Sequence, residues 1–422
     1  VKSSTQIENP PPQKSPSVHL SYLDGLRGLA ALYVTMFHAQ SIVFGHGTVA
    51  VPKLITASYA WMRYGRYSVA VFIVLSGYCL MLPVARSANG QLRGGAWEYL
   101  KRRAKRILPP YYIALAVSLL VIALVPGMNI KRGAAWDYVL PAFDPANLVS
   151  HVLLLHNLRP DWLLKINGSL WSVATEWHIY FFLPFVLLPI WRRAGLIVTV
   201  IAAFAIGLAP KMLWGGYYDG AAPWFLGLFA IGMAGAVISH STEERFAALR
   251  SKAPFEEMAF TALGIFVAIA LLMPSWVFFD AIWVMDIIVG LFAVNLILAC
   301  DRMLRNSSTE RQPFIIRLLS GSAVVKLGAF SYSLYLLHAP ILGIVELVIH
   351  KMGLSPVMQY AVLMLVGVPL CIVGAYVFYL GCERPFTTWK KASSPSAAPA
   401  QSVVAPPIPR ADAGPAQENA VA

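Results

Sequence analysis

Apolar residues run in long blocks along most of this chain, and charged residues gather between them. Ten blocks approach the roughly 20 residues that an α-helix needs to cross a bilayer. They lie near 28–46, 67–85, 107–126, 170–190, 194–210, 221–239, 257–273, 276–299, 327–349 and 357–380. None shows the alternating pattern of a membrane barrel strand. The pattern therefore predicts an all-α fold: a polytopic membrane bundle of about ten transmembrane helices. Residues 1–19 and 392–422, rich in Pro, Ser and Ala, read as disordered tails on a membrane domain spanning 20–391. Between the third and fourth blocks the run LVSHVLLLH is too short to span, so it is expected to lie in the interface or to re-enter.

Charge orients the bundle. The even-numbered loops hold 17 Lys and Arg residues against nine in the odd-numbered ones, which predicts that both termini are cytoplasmic. The formal net charge of +13 thus belongs to membrane topology, and nucleic acid is not an expected partner. Composition agrees: 58% of the 422 residues are hydrophobic and only 13% charged, about half the charged share of an ordinary soluble domain. Cys79, Cys300, Cys371 and Cys382 lie in or beside apolar blocks without paired spacing, so neither a disulfide framework nor a metal site is expected. The polar start and the long first apolar block do not resemble a cleavable signal peptide. No fixed-period repeat stands out, which weighs against carriers built from inverted halves.

A charged or imidazole side chain inside a span is costly, so each is a functional candidate. Arg27 and His38 are eleven residues apart, about three helical turns. They share one face of the first span, with His38 roughly 16 Å deeper. Read alone, Arg27 snorkelling to the interface and His38 bonding a neighbouring helix would also account for them. Ser76 lies in the second span beside Gly77, where small residues also suit close helix packing. At the predicted start of the third span, Arg103 and Arg106 stand one turn apart. That spacing suits a bidentate grip on phosphate groups, and equally plain topology or lipid headgroups. The fourth span carries Glu176 about two turns from the outer face, together with His178. The ninth carries His338 at a depth comparable with His38. Two imidazoles and a carboxylate converging in a bundle meet the need for proton transfer to or from a hydroxyl. Asp286 and Glu346 are further buried acids.

Taken in order, these fragments resemble the acyltransferase-3 family of integral membrane acyltransferases. LDGLRGLAALYVTMFHA carries the family's Arg-x10-His as Arg27 and His38. VFIVLSGYCL, RRAKRILPPYY with Arg103 and Arg106, NGSLWSVATEWHIYFFLP with Glu176, SYSLYLLHAPI with His338, and ERP at 383–385 follow in the family's order. The resemblance implies a ten-helix fold in a bacterial-type inner membrane. It also implies acyl-CoA, with acetyl-CoA favoured, as a co-substrate on the cytoplasmic side, and transfer to a hydroxyl of a surface saccharide, lipid-linked sugar or related glycan. No permanently bound cofactor is expected, and membrane lipids are the other expected partners. After residue 380 there is no room for the extracytoplasmic hydrolase-like domain that some members append. The stretch 194–300 matches no family motif.

The residues and the resemblance together suggest one scheme. Arg103 and Arg106, with Ser76, bind the donor, and His38 acts as general base or as acyl acceptor. Arg27 binds the donor or stabilises charge on the thioester oxygen. Glu176 orients His38 or binds the sugar, and His338 supplies a second acid–base or hydrogen-bonding group. The alternative is a multi-pass transporter or flippase for an anionic or glycan substrate, since intramembrane His and Glu also serve proton coupling. A scaffold would leave the ordered motifs unexplained.

Overall fold

The computed structural model describes residues 20–45, 51–87, 89–273, 280–306 and 312–388. The expected tails at 1–19 and 392–422, the first residues of the eighth predicted span and Arg311 lie outside them. Among the described residues the regular structure is helical and no strand occurs. Ten helices carry the argument: α1 (Ser21–Phe44), α2 (Ser68–Ala85), α3 (Gly95–Leu124), α4 (Leu170–Phe182), α5 (Leu188–Leu213), α6 (Phe225–His240), α7 (Phe255–Leu272), α8 (Ile282–Asn306), α9 (Ser331–Lys351) and α10 (Val368–Phe378).

Eight helical segments among the described residues are long and apolar enough to cross a membrane. One of them, Leu170–Leu213, has 44 residues and would measure about 66 Å if straight, some twice the hydrocarbon thickness. It breaks at Gly195, whose φ of 81° and ψ of −176° are not helical, and each piece is long enough for one crossing. Helix α1 falls outside the eight because Arg27, His38 and Gln40 hold its hydropathy down. Its 24 residues nevertheless span about 36 Å, and it packs against α2, α9 and the helical turn Trp61–Tyr67. Counting α1 and both pieces of the broken segment recovers the ten spans of the hydropathy pattern.

Burial follows sequence. In FLGLFAIGMAGAVISH no polar residue precedes Ser239, and α6 is buried on nearly every side, as an all-apolar helix in a bundle should be. Its most extensive contact is with α2. A Cβ on Gly77 would collide with the Phe229 carbonyl oxygen, and one on Gly232 with that of Val74. Two glycines thus let the α2 and α6 backbones touch from both sides, the close-packing device of membrane helices. By contrast α7 buries only Phe255, Ala259 and Ala262 and lies at the periphery.

Helix α3 begins at Gly95, so the basic stretch KRRAKR that opens the third predicted span is helical, built on strong helix formers. Arg103 and Arg106 stand one turn apart on it. The LVSHVLLLH run forms a short helix, Pro145–Val152, capped by Asp144 accepting from the Asn147 amide. That helix buries Asn147, Ser150 and His151 and exposes Val149, Val152 and Leu153. Polar residues inside and apolar residues outside suit a lipid-facing surface.

Overpacking the α2–α6 contact should be costly. Gly77→Val is expected to lose about 1–3 kcal/mol or more, read as a lower unfolding temperature of the detergent-solubilised protein. Ser76→Ala, one residue away but facing a cavity, should unfold like the wild type.

Candidate active site

Two cavities lie in the bundle and share no lining residue. The first, of about 850 Å³, is walled by α1, α2, α3, α4 and α9 and collects Arg27, Ser76, Arg103, Arg106, Glu176 and Tyr335, among others. The second, of about 430 Å³, lies at the other end of α1, under the turn Ala135–Val139, and is lined by His38, Ser41, Trp136, Tyr138, Gly343 and Glu346, among others.

Three arginines give the first cavity its character. Arg27 is held by Asp24, whose carboxylate accepts at 2.9 Å, and by the Cys79 sulfur at 3.0 Å. Arg103 keeps a buried Nε with no hydrogen-bond partner, so the guanidinium has unused donor capacity. Across from them Glu176 accepts from the Tyr180 hydroxyl at 2.5 Å, and the Ser76 hydroxyl lies 3.4 Å from the same Tyr180 oxygen. Tyr335 and Ser172 form a 2.6 Å hydrogen bond on the wall, and Tyr332 donates to the Ile107 carbonyl at 3.0 Å. A guanidinium cluster beside hydroxyls in a deep cleft is suited to a polyanion.

The two sequence-predicted histidines converge. The rings of His38 and His338 stand 4.9 Å apart, centroid to centroid. His338 is fully buried, its Nδ1 lies 3.2 Å from the Leu334 carbonyl, and its Nε2 has no partner among the described residues. Tyr335, one turn earlier on α9, places its ring 5.7 Å from that of His338. A row of rings, Tyr335–His338–His38, thus runs from the wall of the first cavity to the lining of the second. The identical helical face read for Arg27 and His38 puts one at each end of this row.

Glu176 lines the arginine cavity and not the one that His38 lines. His178 lines neither cavity. Asp286 accepts from the Trp224 indole at 2.9 Å, buried away from both.

Several site residues went unnoticed in the sequence. Tyr335, Ser172 and Tyr180 are neutral, so no rule about costly charges flags them. Each is three or four residues from a flagged one (His338 or Glu176), hence on the same helical face, which is the signal that would have found them. Trp136 and Tyr138 come from a loop and offered none. Glu383, in the ERP motif, sits on a π-turn, Tyr379–Glu383. It accepts from both the amide (3.2 Å) and the hydroxyl (2.5 Å) of Ser333 at the start of α9. Beside the second cavity's loop, His151 and His156 stack at 3.9 Å, and burial holds both below the ordinary imidazole range.

A family profile described as an acyltransferase domain matches residues 20–376, taking in both cavities and the ring row. The chain belongs to the acyltransferase-3 family. The chain is 22% identical over 390 residues to a Staphylococcus aureus protein named "Putative O-acetyltransferase", an alignment that covers 86% of the chain and 56% of that protein. It is 25% identical over 207 residues to Nodulation protein 10 of Rhizobium leguminosarum bv. viciae, covering 46% of the chain and 52% of that protein. With "Protein 2 in picA locus" of Rhizobium radiobacter it shares 27% identity over 169 residues, or 40% and 78% of the two chains. The chain thus spans little more than half the length of its S. aureus relatives. No solved structure matches it.

Losing the Glu383 carboxylate should leave the buried Ser333 donors unsatisfied. Glu383→Ala is expected to cost about 1–3 kcal/mol of stability, measured by thermal unfolding in detergent, and Glu383→Gln less, since its amide oxygen still accepts.

Proposed function

We propose that this multi-pass membrane acyltransferase moves an acyl group, acetyl by preference, from acyl-CoA to a hydroxyl of a surface saccharide, lipid-linked sugar or related glycan. The observation that carries the reading is a pair of cavities with the ring row Tyr335–His338–His38 running between them. One is lined by arginines suited to the phosphates of coenzyme A, and the other holds the imidazole that meets the acceptor. The excess of Lys and Arg in the even-numbered loops supports the arginine cavity facing the cytoplasm of a bacterial-type cell and the second cavity facing outward.

In this mechanism Arg103 and Arg106 grip the donor's phosphates, and Ser76 and Tyr180 line its path. Arg27, already oriented by Asp24, faces the charge that develops on the thioester oxygen. His38 takes the proton of the acceptor hydroxyl as that oxygen attacks the thioester carbonyl. The carbon–sulfur bond then breaks, and the imidazolium proton passes to the departing thiolate. His338 supports His38 from the buried side, and Tyr335 bridges towards the donor. Glu176 belongs to the donor cavity, where it fixes Tyr180 and balances the arginine charge.

A variant form has His38 accept the acyl group first and pass it to the sugar. The observation favouring it is the partition itself, since the two cavities share no lining residue. Thiol release in a burst before any acceptor is added would indicate this order; its absence indicates direct transfer.

Purified protein is expected to release free thiol from acetyl-CoA when a surface-glycan extract is supplied. His38→Ala should abolish this release while leaving acetyl-CoA bound. Arg103→Ala and Arg106→Ala should each raise the KM for acetyl-CoA by about ten- to a hundredfold, the loss of one charge-assisted contact worth about 1.5–3 kcal/mol. A folded His38→Ala protein that still transfers would refute the scheme, and wild type that neither binds nor cleaves acetyl-CoA would favour a carrier.

A further inference from the structure

The cavity lined by His38 has a chemistry of its own. One wall is aromatic, formed by Trp136 and Tyr138. The remaining polar groups are the imidazole of His38, the hydroxyl of Ser41 and the carboxylate of Glu346. A pyranose ring has the matching character, with apolar C–H faces that stack on aromatic rings and an edge of hydroxyls that need acceptors and donors. The space, about 430 Å³, is roughly half that of the arginine cavity, about 850 Å³, which favours a single ring over an extended chain.

The walls are set before any ligand arrives. Both oxygens of Glu346 accept backbone amides from the loop, that of Ala135 at 2.7 Å and that of Trp136 at 3.0 Å. A carboxylate has about four acceptor sites, so two remain for sugar hydroxyls. The Trp136 indole donates to the Met128 carbonyl at 3.0 Å, and its ring lies so close over α9 that only a glycine fits at 343. The backbone around Tyr138 is pinned by Lys165, whose ammonium donates to the carbonyls of Tyr138 (3.1 Å) and Leu140 (2.6 Å). The Tyr138 ring itself is 37% exposed, at the cavity mouth. Ser41 already donates to the Phe37 carbonyl at 2.7 Å and accepts from Gln40 at 2.9 Å, so its free capacity is as an acceptor.

We infer that this second cavity seats one pyranose ring of the acceptor, stacked on Tyr138, with its hydroxyls directed at Glu346 and His38. Glu346 is a positioning residue: through Ala135 and Trp136 it holds the loop that carries the aromatic wall. The inference rests on the reading of His38 as the group that meets the acceptor, and it adds the ring, its seat and the residues that hold it.

The test uses the full chain in detergent micelles without a sugar headgroup. Methyl glucoside, methyl galactoside and methyl N-acetylglucosaminide serve as probes, with glycerol as a hydroxyl control lacking a ring. Binding is read by saturation-transfer NMR, which needs no turnover, and acetyl-CoA binding is measured in parallel. At least one pyranoside should bind saturably and glycerol should not. Tyr138→Ala and the cavity-filling Ala339→Leu should each weaken that binding tenfold or more, Tyr138→Phe should retain it, and acetyl-CoA affinity should not follow. Glu346→Gln, which keeps an acceptor oxygen but loses charge, should weaken the pyranoside less than Glu346→Ala. No saturable pyranoside binding to folded wild type would overturn the inference, and so would equal binding by wild type and Ala339→Leu. Thiol release that depends on His38 but is indifferent to these variants would leave the acyl-transfer reading standing and remove the acceptor seat. Pyranoside binding that the variants abolish, in a protein that never cleaves acetyl-CoA, would do the reverse.

Discussion

Hydrocarbon cannot solvate a charge or an unpaired polar group, and that constraint organises this molecule. Arg27, His38, Arg103, Arg106, Glu176 and His338 all lie in helices that run through apolar sequence, and none could face lipid cheaply. Each must turn inward, where only other polar groups or a cavity can receive it. The fold is the arrangement of apolar helices that lets this happen in one place. Helices α2 and α6 supply its rigid backing, touching through Gly77 and Gly232, while α7 and the exposed faces of α5 and α10 meet the lipid.

Within that arrangement, depth is set helix by helix. Helix α1 carries Arg27 and His38 to opposite ends of the polar interior on one face. Helix α9 contributes Tyr335 and His338 one turn apart, so it supplies both the wall of one cavity and the buried partner of the other. Its start is fixed by Glu383, which returns from the far end of the chain to take up the Ser333 donors. Helix α3 brings Arg103 and Arg106 to the cavity that Glu176 lines. The family's scattered motifs are thus separate walls of one polar interior.

Much of this was legible in the sequence because hydropathy reports directly on the solvent each segment meets. The ten spans emerged from block length alone, and a helical repeat of 3.6 was enough to align Arg27 with His38. Charge cost in the membrane picked out His338 before any contact was known. What escaped were properties decided by tertiary packing. Which cavity Glu176 lines depends on how α3, α4 and α9 pack, and no local pattern reports that. Neutral tyrosines carried no penalty to betray them. Trp136 is held by a carboxylate more than two hundred residues away, a pairing that no local pattern encodes.

The separation of the two cavities has an electrical meaning. A membrane at 100 mV does about 2.3 kcal/mol of work on each elementary charge that crosses it, so a water-filled passage through the bundle would be a standing short circuit. At the centre of the row Tyr335–His338–His38, His338 is fully enclosed. Closely packed rings offer an ion no water to cross by. Rings that stand between two cavities therefore also insulate one from the other, and a channel opened through them would let ions run down the membrane potential.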